Sequence, residues 1–251
     1  MILAITNQKG GVGKTTSAVN ISAGLAKEGK KILLLDLDPQ GNATSGLGVE
    51  KNLPGIYNCL IENADISACT VKTQVENLFL IPANTELSGA TVEMVALKDR
   101  EKLLRRVLDK IKNDYDCIII DCPPSLDLLT VNAFTASDSV LVPIQCEFYA
   151  LEGLGQLVHT IKLIKQKLNP DLDINGVVCT MYDSRTNLSQ QVVDEVKKYF
   201  SQKVYRTCIP RNVRLAEAPS FGQPIQLFDA YCPGALAYKS LCKEIIERSG
   251  L

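Results

Sequence analysis

The stretch KGGVGKTT, residues 9–16, lies between an apolar run at Ile2–Thr6 and a helical pattern at Thr15–Lys27. A glycine-rich loop between a strand and a helix is the context that a phosphate-binding loop requires. Its glycines let backbone N–H groups close around phosphate oxygens, and the helix N-terminus adds its positive end. The residues expected to bind nucleotide phosphates are Lys9, Gly10, Gly11, Val12, Gly13, Lys14, Thr15 and Thr16.

Individual side chains of this loop have predicted roles. Lys14 is expected to reach the β- and γ-phosphates, and the Thr15 hydroxyl to bind Mg²⁺. The loop departs from the usual pattern because Gln8 stands where the first glycine is expected, while Lys9 adds a second cation. Lys9 serves either its own nucleotide or, across a dimer, the nucleotide of a second subunit. In the second case it would act in catalysis like an arginine finger.

Three carboxylates follow two apolar strands. Asp121 ends the run CIIID and is expected to hold Mg²⁺ through a water molecule. Asp36 and Asp38 lie in LLLDLDPQGN, where one can enter the magnesium shell and the other can orient the attacking water. Asp36 lies inside the strand and is equally well interpreted as a buried, hydrogen-bonded acid. Asp38 is therefore the better candidate for the catalytic acid, and it is also expected to lie near the metal ion.

Apolar, β-branched runs alternate with helical patterns along the chain. Near-continuous apolar strands are typical of a parallel sheet that is buried on both faces. The alternation predicts an α/β fold, with a doubly wound, mostly parallel sheet flanked by helices in a single domain over residues 1–251. The predicted strands are Ile2–Thr6, Lys31–Asp36, Leu78–Pro82, Cys117–Asp121, Ser139–Pro143 and Ile174–Thr180. The predicted helices are Thr15–Lys27, Leu151–Leu168 and Asn187–Phe200, with a short one near Gly55–Ile61.

Composition excludes several classes of protein. With 251 residues, 46% of them hydrophobic, and a net charge of −1, the chain is neither intrinsically disordered nor a uniformly basic DNA binder. Its nine cysteines form no C-x-x-C pair, which favours buried free thiols in a reducing compartment. The N-terminus has no signal-peptide pattern, and no apolar run approaches the roughly 20 residues that span a bilayer. A cytoplasmic protein is expected.

Several motifs together carry a family resemblance. KGGVGKTT, DLDPQGN (residues 36–42) and DCPPS (residues 121–125) resemble the deviant Walker A ATPases of the ParA/MinD group. QCEFYALEGL (145–154), TMYDSRTNLS (180–189) and IPRNVRLAEAPSFGQPI (209–225) resemble the chromosomal Soj/ParA partition ATPases. The resemblance implies slow hydrolysis of ATP with Mg²⁺, an ATP-bound sandwich homodimer and non-specific DNA binding at the nucleoid. It also implies a ParB-type partner that stimulates hydrolysis and releases the DNA.

The resemblance also assigns roles to residues. Lys9 matches the lysine that crosses the dimer interface, Asp38 the catalytic acid, and Asp121 the Walker B acid. Glu147 falls where related proteins contact a ribose or the facing subunit. Adenine would lie near Met181, Pro210 and Asn212, with backbone groups contacting the base.

The predicted DNA-binding surface is the one basic block of the chain. Residues 181–214 hold seven basic and three acidic residues, while the segments on either side are net acidic. Arg185 and Arg214 match the DNA-contacting arginines of the family, and Lys197 and Lys198 add charge. Gln223 stands where relatives often have lysine, so the patch is expected to be smaller. No N-terminal helix-turn-helix extension precedes Met1, so sequence-specific DNA binding is not expected.

Alternative functions remain open from the sequence. A MinD-like membrane-cycling ATPase needs an amphipathic C-terminal helix. The charges are mixed in the C-terminal segment GALAYKSLCKEIIERSGL, residues 234–251. This pattern predicts a helix that is docked on the core, without stable membrane association. Asp38 argues against a nucleotide-dependent scaffold without catalysis. An electron-transfer ATPase would need cysteines paired across a dimer, and none is well placed. His159, the only histidine, is expected to be structural or on the surface.

Overall fold

The architecture, taken from a computed structural model that describes residues 1–150 and 154–251, centres on a seven-stranded sheet. The strand order is β3-β4-β2-β5-β1-β6-β7, and every neighbouring pair is parallel except the antiparallel pair β3–β4. The predicted doubly wound fold is therefore confirmed. The strands are β1 Ile2–Ile5, β2 Ile32–Asp36, β3 Val71–Lys72, β4 Leu78–Ile81, β5 Cys117–Asp121, β6 Ser139–Gln145 and β7 Asp173–Thr180.

Helices cover both faces of the sheet. One layer packs α3 to α8 against one hydrophobic core, and α1, α2 and α9 to α11 pack against the other. The helices are α1 Lys14–Lys27, α2 Asn42–Gly46, α3 Ile56–Ile61, α4 Leu87–Glu93, α5 Leu103–Leu108, α6 Leu128–Ala136, α7 Leu154–Lys167, α8 Asn187–Phe200, α9 Val213–Glu217, α10 Ile225–Phe228 and α11 Pro233–Ser249.

The central strands follow directly from their sequences. Every residue of β1, β2 and β5 is buried, because helices cover both faces of the sheet and leave no polar side for alternation. The terminal acids Asp36 and Asp121 are the exceptions to this apolar character, and both lie at the carboxyl end of a strand. A buried carboxyl group at a strand end needs a partner or a function.

Six predicted strands are confirmed with shifts of one or two residues, and β6 runs on to Gln145. The antiparallel edge strand β3 was not predicted, because two residues carry too little periodicity. Helix α8 and the short α3 lie where they were predicted. Of the predicted helix Leu151–Leu168, residues 154–167 are helical, and 151–153 lie outside the described residues.

The C-terminal helix is docked on the core as predicted. Tyr238, Leu241, Cys242 and Ile245 of α11 are buried against the layer that contains α1. Within residues 1–150 and 154–251, no helix combines the length and apolar character needed to cross a membrane. His159 lies exposed on α7, as expected of a surface residue.

The cysteines also match their prediction. All nine thiols are free; eight are buried and Cys208 is half-buried.

Candidate active site

The connections that leave β1 and β5 run in opposite directions across the sheet. The connection from β1 through α1 leads to β2 on one side, whereas that from β5 through α6 leads to β6 on the other. In such sheets a crevice opens at the carboxyl ends of the strands, where ligands bind. Asp121 lies at this point, since its strand partners are Ile5 of β1 and Asp36 of β2. The topology therefore brings the predicted phosphate loop and the predicted metal acid together.

The phosphate loop, residues 6–13, is tied to neighbouring strands. The Asn7 side-chain amide donates to the carbonyl of Pro143 in β6 at 2.7 Å. The Thr180 hydroxyl, at the end of β7, donates to the carbonyl of Val12 at 2.8 Å. Gly13, which precedes α1, has a φ of 87°, a conformation that favours glycine. Asn7 was not singled out from the sequence; its signal is a polar residue just beyond an apolar strand.

Lys14 opens α1 and turns back over the loop. Its ammonium donates to the carbonyl of Lys9 at 3.1 Å, and only 7% of the residue is exposed. Burial lowers the pKa of Lys14, and the charges of Asp121 and Asp38 partly offset that effect. Lys14 thus projects into the crevice close to both acids that were predicted to act with it.

Asp121 is the most unusual group of the crevice. The residue is 0% exposed, and neither carboxylate oxygen has a hydrogen bond of acceptable geometry to a described residue. Burial and the nearby charge of Asp36 raise the pKa of Asp121 well above its usual value, with a smaller opposing effect from the Thr15 hydroxyl. Two buried oxygens without a hydrogen-bond donor are suited to accept from a water molecule bound to Mg²⁺.

Asp36 and Asp38 take different positions. Asp36 Oδ2 accepts from the backbone N–H and the hydroxyl of Thr44, each at 2.7 Å, so its interpretation as a buried, hydrogen-bonded acid is correct. Burial raises the pKa of Asp36 to about 6. The Thr44 hydroxyl also accepts from the N–H of Ala83, which fixes the segment after β2. Asp38 lies beyond the strand, near Lys14, and accepts from the N–H of Gln40 at 3.0 Å.

Lys9 and Glu147 form an ion pair at the mouth of the crevice. The Lys9 ammonium donates to Glu147 Oε1, and the two side chains remain 34% and 39% exposed. Glu147 lies just after β6, so this pair spans the phosphate loop and the neighbouring strand end. In the single chain the second cation of the loop is therefore directed to its own glutamate.

The predicted base-binding residues line one cavity of about 340 Å³ beside Gly13 and Thr16. Met181, Pro210 and Asn212 all lie on its wall. The side-chain oxygen of Asn212 is buried and has no donor among the described residues. The sequence predicted base contacts through the backbone, and the Asn212 oxygen adds an unpaired side-chain acceptor to this part of the chain.

The four predicted DNA-binding residues fall in two places. Arg185 and Arg214 lie near the carboxyl edge of the sheet, Arg185 before α8 and Arg214 in α9. Lys197 and Lys198 lie in the last turn of α8, about 15 Å further along that helix from its first residue. A DNA surface that includes all four must extend along the length of α8.

Most charges of this basic block are paired within the chain. Arg185 binds Asp183 through two nitrogens at 2.9 and 2.7 Å, and Arg214 binds Glu217 at 2.9 Å. Lys198 is paired with Glu195, and Arg206 with Glu244 and Glu247. DNA phosphates would have to replace such exposed, weak pairs. Gln223 lines a separate cavity with Thr16 and Asn42.

The fold and the crevice define a nucleotide-hydrolase architecture with a phosphate-binding loop. Consistent with this class, a family described as "AAA domain" matches residues 1–174. No group of three or more acidic, histidine or cysteine side chains in the described part of the chain forms a metal cage.

Comparison with known proteins narrows the class. The chain is 58% identical over 246 residues to the sporulation initiation inhibitor protein Soj of Bacillus subtilis, covering 97% of both chains. It is 53% identical to the chromosome-partitioning ATPase Soj of Treponema pallidum, over 99% of this chain and 98% of that protein. The chain belongs to the Soj/ParA family of chromosome-partitioning ATPases.

A solved structure shows the same architecture with ligands. Cobyrinic acid a,c-diamide synthase from Mycobacterium smegmatis, with bound ADP and magnesium, superposes with a TM-score of 0.87 at 38% identity. The match covers 100% of this chain and 96% of that one.

Proposed function

We propose that this ATPase hydrolyses Mg·ATP in the crevice between β1 and β5, and that its ATP-bound homodimer binds DNA without sequence preference. A ParB-type partner would stimulate hydrolysis and so release the DNA at the nucleoid in the cytoplasm. The observation that carries the proposal is the pair of buried, unpartnered Asp121 oxygens beside Lys14 and the phosphate loop. A purely structural carboxyl would have been given a donor by the fold.

Adenine is the base that the side cavity fits. Asn212 presents a buried acceptor without a donor, and the exocyclic amino group of adenine is a donor. Guanine places a carbonyl oxygen at the corresponding position, which would leave two acceptors facing each other. Leaving buried polar groups unpaired is the strongest source of discrimination between similar ligands. The cavity therefore favours ATP over GTP.

The hydrolytic roles follow from position. Thr15 and Asp121 would hold Mg²⁺, which supplies neutralising charge on the phosphates when bound. Lys14 is buried in the crevice, where a fixed cation stabilises the charge that develops on transferring phosphoryl oxygens more strongly than it would in water. Asp38, just beyond β2 and near Lys14, would orient the attacking water.

The position of Lys9 explains why efficient hydrolysis would need a dimer. In the single chain its ammonium is directed to Glu147 rather than into the crevice. The pair is partly exposed and therefore weak enough to exchange for a nucleotide phosphate of a second subunit. Hydrolysis by the monomer would be slow because this cation is then missing from the reacting phosphates.

DNA binding is proposed for the surface around Arg185 and Arg214. One such patch is small, but a dimer presents two, and each neutralised phosphate steepens the log–log salt dependence of affinity by about 0.9. Doubling the number of contacts therefore makes nucleotide state a switch for DNA binding. The alternative, membrane cycling through the C-terminal helix, has little support because the apolar face of α11 is already buried in the core.

The test is binding to random-sequence duplex DNA with ATP and with ADP across a salt series. We expect binding with ATP alone, and a flatter salt dependence for Arg185→Ala and Arg214→Ala. Arg206→Ala is the matched control, because Arg206 belongs to the same basic block and is likewise paired with acids, but lies beside α11 and away from Arg185 and Arg214.

Absence of DNA binding in both nucleotide states would refute the proposed DNA role. An effect of Arg206→Ala equal to that of Arg214→Ala would refute the proposed location. Binding of the ATP form to anionic lipid vesicles would favour the membrane alternative.

A further inference from the structure

Three thiols lie together on one face of the sheet, outside the crevice. Cys146 follows β6, Cys179 lies in β7, and Cys208 lies in the segment that runs beside β7. All three pack against the core layer that contains α8. The Cys146 and Cys208 thiols both adjoin that of Cys179 closely enough to change its pKa.

Cys179 and Cys208 are paired through the main chain. The N–H of Ile209 donates to the carbonyl of Cys179 at 2.8 Å, as the N–H of Tyr205 does to that of Val177. This bond places the peptide group between Cys208 and Ile209 beside the one between Cys179 and Thr180. Backbones joined in this way lie about 4.8 Å apart, and disulfides need Cα atoms about 4.4–6.8 Å apart. A bond between these two sulfurs thus requires little movement of the backbone.

Solvent access distinguishes Cys208 from the other thiols of the group. Cys208 is half-buried, whereas Cys146 and Cys179 are buried. Contact with Cys179 and burial raise the pKa of the Cys208 thiol, contact with Cys146 and burial raise that of Cys179, and the charge of Lys197 is a smaller opposing effect on both. Because these effects act on both sulfurs, access rather than charge separates Cys208 from Cys179. An oxidant from solvent therefore reaches Cys208 first.

We propose that Cys208 and Cys179 form a reversible disulfide when the protein meets hydrogen peroxide. The Cys208 thiol and hydrogen peroxide give a sulfenic acid and water. The Cys179 sulfur then attacks the Cys208 sulfur, the S–S bond forms, and the hydroxide that leaves takes the Cys179 proton as a second water. A dithiol reductant returns both thiols.

The bond would join two walls of the base cavity. Cys179 is followed by Thr180, which holds the phosphate loop, and by Met181, while Cys208 lies two residues before Pro210. Fixing β7 to the segment beside it prevents these walls from separating. The oxidised protein should therefore release nucleotide more slowly, a consequence that rests on the proposed nucleotide site.

The first experiment maps disulfides in the full-length protein after peroxide treatment, by mass spectrometry of non-reduced peptides. The expected product links Cys179 to Cys208, is absent from Cys208→Ser, and still forms in Cys146→Ser. Cys59 and Cys69 also adjoin each other, but both are buried, so they serve as an internal control that stays reduced. A Cys146–Cys179 link, no link, or equally fast linkage of Cys59 to Cys69 would overturn the proposal.

The second experiment measures release of a fluorescent ATP analogue from the reduced and oxidised protein. We expect severalfold slower release after oxidation, reversal by dithiothreitol, and no effect of peroxide on Cys208→Ser. An unchanged release rate in protein with a mapped Cys179–Cys208 bond would overturn the coupling to the cavity. Failure of the reduced protein to bind the analogue would instead refute the proposed nucleotide site, and the mapping result would stand.

Discussion

The hydrogen bond from Thr180 to Val12 can be removed without changing the shape of the side chain. Thr180→Val replaces the hydroxyl by a methyl group, at a residue that is 2% exposed and lies 2.8 Å from the Val12 carbonyl. Leaving a buried acceptor without its donor costs about 1–3 kcal/mol. We therefore expect the free energy of unfolding to fall by about that amount, with no contribution from a cavity.

The same loss should weaken nucleotide binding, because Val12 lies within the phosphate loop and Thr180 holds it in place. If the loop becomes less ordered and ATP must restore it, part of the lost free energy is paid on binding. Since 1.4 kcal/mol is about a factor of ten, ATP affinity should fall, but by no more than about a hundredfold. Urea unfolding without nucleotide and titration with a fluorescent ATP analogue measure the two effects.

Thr135→Val is the matched control. Thr135 is also buried, and its hydroxyl donates to the carbonyl of Val131 within α6 at 2.7 Å. Such a bond back to the preceding turn contributes little, because the carbonyl belongs to the helix ladder. If Thr180→Val and Thr135→Val lose the same stability, or if Thr180→Val binds ATP as tightly as the unmodified protein, then β7 does not support the loop as argued.

Three further predictions concern the crevice. Lys9→Ala should keep ATP binding by the monomer but lose ATP-dependent dimerisation, measured by light scattering, and DNA binding. Lys112→Ala, which changes a surface lysine paired with Asp109, should affect neither. Retained dimerisation in Lys9→Ala would exclude the intersubunit role. Asp121→Asn should abolish Mg²⁺-dependent turnover of ATP. It should also raise the free energy of unfolding without nucleotide, because burial and the charge of Asp36 make the ionised form of Asp121 costly. A lower free energy of unfolding would contradict this second expectation. The folded-state pKa of Asp36, raised by burial from 3.8 to about 6, lies above the unfolded value, so the folded state binds more protons. The contribution of Asp36 to stability is therefore full below about pH 4 and falls as pH rises through 6, by about 3 kcal/mol. Urea titrations between pH 4 and 7 without nucleotide measure it as the difference between the protein and Asp36→Asn, and a difference that does not change with pH would refute it.

The sequence predicted the sheet and the phosphate loop because both are local patterns. Six apolar runs became strands, and the loop needed only its glycines, its lysine and its flanking elements. Helices α4, α5, α6, α9 and α10 were not predicted. The edge strand β3 and the short α2 were also missed, between Gly41 and Leu78, where no element exceeds six residues. Elements this short are fixed by tertiary contacts, such as the bonds from Thr44 to Asp36, rather than by periodicity.

Contacts between distant residues were beyond sequence reasoning. The pairing of Lys9 with Glu147 depends on β1 lying next to β6, which spacing alone does not give. Charge counting likewise predicted a basic block but could not show that Arg185 and Arg214 are already paired with acids. The unpaired oxygen of Asn212 is a property of packing and appears only in three dimensions.

The crevice is a site whose charges do not balance without its ligands. Asp36 and Asp121 are buried with raised pKa values, and the buried cation beside them, Lys14, is itself disfavoured by burial. A divalent cation would relieve the carboxylates, and nucleotide phosphates would in turn need Lys14. Ligands that correct such an imbalance bind the folded state selectively and stabilise it. Lys9 adds a further condition: if it moves to the phosphates of a second subunit, Glu147 loses its partner. The proposed dimer is then favoured only if the contact of Lys9 with those phosphates outweighs this partly exposed, weak ion pair.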